Sequence, residues 1–269
     1  MSVFIPRKNF DASQIADSGQ CFRFRRSPDR TRDDRFSVCA GARRLMLTET
    51  GGGYSADCGR EEFDAFWKDY FDLDTDYSAY IGAIDKNDGY LLEAAARGEG
   101  IRILRQDPFE TLISFILSQR KNIPAIMASV EALCAAFGEE KDGWNAFPSP
   151  EALASASLEE LRACSLGYRA PYILDTAQAV ASGALDLGAL GTLDDDALSE
   201  ALMKAHGVGP KVASCVSLFA YHRLGAFPRD VWINRIVDEQ YGGNFPLELY
   251  DGFAGVIQQY IFFAARTGT

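Results

Sequence analysis

Residues 198–221 read LSEALMKAHGVGPKVASCVSLFAY, two apolar helical runs joined by a glycine-rich turn. Leu198, Leu202 and Met203 give the first run its stripe, which ends near Ala205. His206-Gly207-Val208-Gly209-Pro210 follows, and a second apolar run from Lys211 to Tyr221 begins at once. The two glycines permit positive φ and close backbone approach, so the amides opening the second helix are left to face a phosphate. A plain helical hairpin with glycine at its C-cap satisfies the same pattern, and Lys211 separates the two readings. It stands in the first turn of the second helix, where a cation opposes the positive end of the helix dipole. Its neighbours Val212, Ala213, Cys215 and Val216 are apolar, so the ammonium is expected to be partly desolvated and its pKa lowered, as a nucleophilic amine requires. Asp230 follows, after Phe227-Pro228-Arg229 and before the helical run Val231–Val237. It is expected to cap that helix, and from there its carboxylate can steady positive charge developing near a lysine.

Moving upstream, the start signals after Gly98 are helical. Asp107-Pro108 and Ser149-Pro150 each set a capping side chain before a proline at the first helical position. Ser157 with Glu160 reads as a capping box, and Thr192 with Asp195 as a weaker one. Phe63, Phe66, Trp67, Tyr70 and Phe71 form an earlier helical stripe. The first sixty or so residues differ: Gln20–Arg25, Arg35–Ala40, Arg44–Glu49 and Gly53–Asp57 are short β-rich runs between the turn clusters SPDRTRDD (27–34) and TGGG (50–53). The expected fold is α+β: an antiparallel sheet domain with flanking helices over 1–98, then an all-helical domain over 99–269 of about eight short helices, with the hairpin at about 194–222.

Composition sets the outer bounds. The 269 residues are 47% hydrophobic and 24% charged, which excludes disordered, collagen-like and coiled-coil classes, and at ~150 residues per domain they call for about two lobes. No window approaches the ~18 uninterrupted apolar residues of a membrane span, since Ser214 and Ser217 interrupt even Val212–Tyr221. The opening MSVFIPRKNF has neither the apolar core of a signal peptide nor the bias of a transit peptide, so a cytoplasmic location is expected. A net charge of −11 works against a nucleic-acid partner, yet nine arginines fall within the first 44 residues, and a hairpin that binds phosphate through backbone amides needs few cations. Six cysteines without a C-x-x-C, and two histidines, His206 and His222, assemble no local zinc or iron–sulfur ligand set, and unbridged thiols fit a reducing compartment.

Hairpin, lysine and aspartate together resemble the helix-hairpin-helix DNA glycosylases with a Gly/Pro-rich loop and aspartate, and more narrowly the 8-oxoguanine DNA glycosylases. The likeness runs in order through Gly19-Gln20-Cys21-Phe22-Arg23, Gly100 to Pro108, Leu166-Gly167-Tyr168-Arg169-Ala170, Gly207 to Cys215, Pro228 to Val231 and Phe253 to Phe262. Trp232 points toward the bacterial and archaeal branch that resembles the clostridial enzyme. The resemblance implies a TATA-binding-protein-like sheet domain and excision of 8-oxoguanine from duplex DNA, with Lys211 attacking C1′ to give a sugar imine and Asp230 as its electrostatic partner. It also implies a flipped-base pocket of Cys215 and Phe262 on opposite faces of the base, the Gly19 carbonyl reading the N7 hydrogen and Gln258 the Watson–Crick edge. Tyr168 matches the family's wedge and Arg169 the arginine that contacts the estranged cytosine. Gly207, Gly209, Arg120 and Asn122 complete the implied DNA contacts.

Two departures stand out. In Ser118-Gln119-Arg120-Lys121-Asn122, Arg120 occupies the position that fills the vacated stack, where the animal type has asparagine. Ala125 stands where the animal type has an arginine checking the opposite cytosine, so a shallow preference for cytosine is expected. Competing readings are an alkylated-base or other oxidised-purine glycosylase of the same superfamily, and a helix-hairpin-helix DNA-binding protein without catalysis. No cofactor is expected; at most, main-chain carbonyls of Gly207 and Val212 or their neighbours hold a monovalent cation at the hairpin. The expected acting species is a monomer on nucleoid DNA.

Overall fold

The computed structural model describes residues 2–27 and 34–268, so most of the Ser27–Asp34 turn cluster lies outside the described residues. Its main sheet has the strands β1 (Val3–Pro6), β2 (Phe24–Arg26), β3 (Arg35–Ala40), β4 (Arg43–Thr50) and β5 (Gly53–Ala56). The helices used below are α1 (Ala12–Asp17), α2 (Gly89–Arg97), α3 (Pro108–Ser118), α4 (Ile123–Phe137), α5 (Ala170–Ala181), α6 (Asp195–Leu202), α7 (Pro210–Phe219), α8 (Val231–Tyr241) and α9 (Ala254–Thr267). Two compact units form: one of Met1–Val38, Leu45–Arg105 and His222–Thr269, the other of Cys39–Arg44 and Gln106–Tyr221. Sequence reading divided the chain at residue 98. The compact units instead return the last two helices to the sheet and give the β3–β4 hairpin tip to the helices.

The first unit carries the sheet, in the order β1-β5-β4-β3-β2, with Val3 opposite Ala56, Leu47 opposite Ala56 and Phe24 opposite Val38 in antiparallel register. β1 alternates cleanly, Val3 and Ile5 buried and Phe4 exposed, whereas β3 is buried from Phe36 to Ala40 and shows no period of two. Gly53 is required where β5 meets β1, because a Cβ there would lie 2.1 Å from the Ile5 carbonyl oxygen. An aromatic cluster of Phe10, Phe24, Phe36, Tyr54 and Phe71 fills the inner face through edge contacts such as Phe10–Phe71 at 5.3 Å. The strand expected over Gln20–Arg25 is shorter, because Gln20 turns inward: its amide donates to Ser18 Oγ and Arg102 O, both at 2.9 Å, and accepts from the Leu104 amide at 2.8 Å. The aromatic stripe at 63–71 is helical as expected, with a π-turn over Phe63–Trp67.

Asp72 is the polar hub of this unit. It is buried with φ +52°, and accepts from Thr75 Oγ1 at 3.0 Å, Tyr77 OH at 3.0 Å and Arg105 Nη2 at 2.9 Å. His222 Nε2 stands 3.3 Å from its second oxygen. Burial pushes the carboxyl up, but His222, Thr75 and Arg105 together bring it below the ordinary carboxylate range. Arg105 and His222 also flank the longer of the two excursions the chain makes from this unit, residues 106–221. Farther on, Asp88 caps α2 at the Leu91 amide and receives the Tyr241 hydroxyl of α8 at 2.9 Å, and α9 is buried along most of its length.

The second unit is helical except for a short antiparallel ladder of Glu140–Lys141 with Trp144–Asn145, which the all-helical expectation did not include. Asp107 and Ser149 cap their helices as expected, and Ser157 with Glu160 makes both halves of the capping box. The cap of α6 is not Thr192 but Asp194, which accepts from the Ala197 amide at 2.8 Å; Thr192 instead donates to the Ala189 carbonyl. The β3–β4 tip joins this unit through the Gly41 amide, which donates to Glu110 Oε2 at 3.0 Å. From Pro108 onward the described residues form ten α-helices against about eight expected, since pieces such as Leu187–Leu190 are too short to show a period. Among the described residues no helix is long and apolar enough to cross a membrane. The six cysteines are buried and unbridged.

Candidate active site and nucleic-acid interface

The α6–α7 hairpin presents Lys211 as the second residue of α7, behind Gly209 at the N-cap and Pro210 at the first helical position. Gly207 is required: its φ is +80°, and a Cβ would lie 2.3 Å from the Tyr172 ring. Gly209 uses neither freedom, because its φ is −105° and a Cβ there would meet no protein atom. Its open side faces away from the protein, at a helix N-terminus whose amides have no side-chain cap. The half-buried Lys211 ammonium sits 5.3 Å from the centre of the Phe115 ring of α3, and that ring stacks on Phe219 of α7 at 5.5 Å. Cys215 is buried one helical turn beyond Lys211, on the same face. The Gly207 carbonyl accepts from Gln119 Nε2 at 2.9 Å, which ties the hairpin to the loop after α3.

Two loops flank the hairpin. In the first, between α3 and α4, Arg120 is exposed with φ +52° and Asn122 caps α4 through the Ala125 amide at 2.9 Å. In the second, a 3₁₀ turn over Gly167–Arg169, Tyr168 is 50% exposed and therefore open to a partner. Arg169, by contrast, is buried: its Nε donates to the Gln119 carbonyl at 2.9 Å, its Nη2 to the same oxygen and its Nη1 to the Leu166 carbonyl at 3.2 Å. Its guanidinium lies against the Tyr168 ring, 4.3 Å from its centre.

The remaining candidates belong to the first unit. Asp230 caps α8, one carboxylate oxygen accepting from the Trp232 and Ile233 amides at 3.0 and 2.9 Å. Gln258 is buried on α9; its amide donates to the Pro228 carbonyl at 3.0 Å and accepts from Gln259 Nε2 at 3.0 Å, anchoring the segment that leads into Asp230. Phe262 is half-buried on α9, with the Arg266 guanidinium 5.4 Å from its ring centre. Gly19 has φ +74°, in a turn held by Ser18 and Gln20.

Comparison with known proteins gives this arrangement its context. Residues 2–112 match the family model of the 8-oxoguanine DNA glycosylase N-terminal domain, and residues 113–244 match that of the HhH-GPD superfamily base excision DNA repair proteins. The probable N-glycosylase/DNA lyase of Methanothermobacter thermautotrophicus is 32% identical over 240 residues, 77% of this chain and 75% of that protein. The chain belongs to the 8-oxoguanine DNA glycosylase family. Among solved structures of the family, MBOgg1 in complex with a low-affinity DNA ligand superposes with a TM-score of 0.92 at 36% identity, covering 99% of this chain and 96% of that one. The Clostridium acetobutylicum 8-oxoguanine glycosylase/lyase, in complex with double-stranded DNA containing cytosine opposite 8-oxoguanine, gives 0.90 at 32% identity over 99% and 98%.

Sequence reading assigned no role to Phe115, Gln119, Lys121 or Tyr172, which contact the candidate residues and loops of the second unit. Phe115 lies inside the apolar run of α3 and carries no mark of its own. Lys121 was legible as a third polar residue in Gln119-Arg120-Lys121-Asn122, without the partners that give it a role.

Proposed function

We propose that this chain is a base-excision repair DNA glycosylase with associated lyase activity that removes 8-oxoguanine from duplex DNA through Lys211. The observation that carries the reading is the placement of Lys211: a lysine in the first turn of the helix after a glycine hairpin, its ammonium against an aromatic wall. The base must first leave the stack, at a cost of a few kcal/mol. The Lys211 amine then attacks C1′, the bond from C1′ to the base breaks, and the base departs with the bonding electrons and takes up a proton. Loss of a proton and opening of the sugar give the imine. Abstraction of a C2′ proton expels the 3′ phosphate and cuts the strand. Asp230 is assigned the charge that offsets the cationic sugar, and Cys215 of the second unit and Gly19, Gln258 and Phe262 of the first are the residues assigned to the flipped base. Gly207 and Gly209 bring backbone amides to a phosphate, Tyr168 and Arg120 enter the stack, and Asn122 and Arg169 shape the loops beside them. The acting species in this reading is a monomer on chromosomal DNA.

The test is Lys211→Gln on duplexes with 8-oxoguanine opposite each of the four bases. Lesion binding is expected to persist, while base release and the borohydride-trapped adduct are lost, because an amide forms no imine. An undiminished adduct in that variant places the nucleophile elsewhere, and no release by the wild-type protein from any duplex overturns the reading.

A further inference from the structure

Lys121 and Arg169 reach past each other between the two loops that carry Arg120 and Tyr168. From the α3–α4 loop, Lys121 Nζ donates to the Ser165 carbonyl at 2.8 Å and to Ser129 Oγ at 2.5 Å. From the 3₁₀ turn, the Arg169 guanidinium donates back to the Gln119 carbonyl through both Nε and Nη2. Each loop thus gives a buried or half-buried cation to a main-chain oxygen of the other, and Gln119 extends the tie to the Gly207 carbonyl of the hairpin at 2.9 Å. Charge-assisted hydrogen bonds of this kind are the strong ones.

The backbone shows what the tie holds. Arg120 and Ser165, each bracketed by these bonds, adopt φ of +52° and +62°, a region that side-chain-bearing residues occupy only where the surroundings enforce it. Arg120 is left exposed beside Lys121, and Tyr168 half exposed on the Arg169 guanidinium. Burial and the neighbouring Arg169 charge push the Lys121 ammonium below its ordinary range, the expected consequence of holding two cations together.

We propose that Lys121 is a positioning residue for base extrusion: with Arg169 it fastens the two loops together, so that Arg120 and Tyr168 meet the duplex as one preset wedge. The inference rests on the reading of the chain as a glycosylase. A wedge must displace stacked bases without recoiling, and ordering two loops beforehand removes that cost from the flipping step. Lys121 itself touches neither lesion nor sugar in this account, so its effect is confined to the step before chemistry.

The experiment compares wild type, Lys121→Met, Ser129→Ala and the double variant under single-turnover conditions. One substrate is a duplex with 8-oxoguanine opposite cytosine and 2-aminopurine beside the lesion, so that unstacking is read as fluorescence. The other carries a preformed abasic site, where no base has to be extruded, and is read by borohydride trapping. For Lys121→Met, unstacking and base release are expected to slow together about tenfold, with trapping at the abasic site changed less than about twofold. Ser129→Ala, which removes the side-chain partner of Lys121, is expected to act in the same direction and to add nothing in the Lys121→Met background. The ratio of release to trapping is insensitive to a simple loss of folded protein. An unchanged ratio in both single variants overturns the inference, as does additivity in the double variant. If Lys121→Met does not fold, Ser129→Ala alone decides. Wild-type protein inactive on both substrates overturns the glycosylase reading instead.

Discussion

The Lys211 ammonium lies 5.3 Å from the centre of the Phe115 ring, and α3 and α7 meet at that contact through the stacked pair Phe115–Phe219. The ring is a wall and an electrostatic partner at once: it limits where the amine can point and holds it without a carboxylate that would neutralise it. Replacing Phe115 by Leu keeps an apolar wall but removes the quadrupole, worth about 0.5–1 kcal/mol at a partly exposed site. Single-turnover excision is expected to slow about two- to fivefold with lesion affinity unchanged. Affinity measured on uncleaved lesion duplex separates the two; equal losses in both make Phe115 a packing residue alone.

Asp230 holds two roles that can be pulled apart. As N-cap it accepts from two amides with one oxygen, and asparagine caps as well as aspartate. Asp230→Asn is therefore expected to keep the melting temperature within a degree or two while slowing excision by orders of magnitude. Asp230→Ala is expected to lose about 1 kcal/mol of stability in addition. Calorimetry and excision kinetics on the two variants check this, and an active Asp230→Asn reduces the residue to its cap.

The two hairpin glycines are expected to respond differently to alanine. At Gly207 the new Cβ meets the Tyr172 ring and a φ of +80°, so stability and DNA binding should fall together. At Gly209 it meets no protein atom, so thermal unfolding should be almost unchanged while affinity for undamaged duplex drops several-fold, because the methyl group intrudes where a phosphate would approach. Undiminished DNA binding by Gly209→Ala moves the phosphate site away from the hairpin.

Acid should loosen the first unit through Asp72. A carboxyl held below its unfolded value of about 3.9 contributes stability that is complete above that pH and is lost as pH falls through the lower folded value. Asp72→Asn is expected to cost about 2 kcal/mol near neutrality and to flatten the acid limb of the stability curve, the two proteins converging at low pH. Urea unfolding across pH 2 to 7 measures it, and parallel curves assign the acid limb to other groups.

The residues that carry a local signal were legible in the sequence. Glycine before a helix, serine three residues ahead of glutamate and aspartate ahead of a helical run each act within one turn of chain, and Gly207, Ser157 and Asp230 behave as their spacing implies. Where a residue's partner lies far along the chain, nothing local announces it: Phe115 finds Lys211, Lys121 finds Ser165, and Gln20 finds Leu104. The same distinction explains the strands. β1 is four residues long and shows its alternation only once Tyr54 and Ala56 stand opposite it. Arg169 is a case of the same kind: its guanidinium donates to the carbonyl of Gln119, far back along the chain, and to that of Leu166.

Asp72 gathers Arg105 and His222, the residues that flank the long excursion of the chain, 106–221, into the second unit. During synthesis this topology sets an order of assembly. Every residue of the helical unit has been made by Tyr221, whereas the sheet unit still lacks α8, α9 and the histidine that completes its clasp. The insert can therefore mature while its host is unfinished, with the early strands waiting on the last helices to leave the ribosome. A chain refolding from denaturant has no such constraint and is free to tie the clasp first, closing residues 106–221 into a tethered loop before they have structure. One carboxylate thus makes the route to the same native state depend on whether the C-terminus is present at the start.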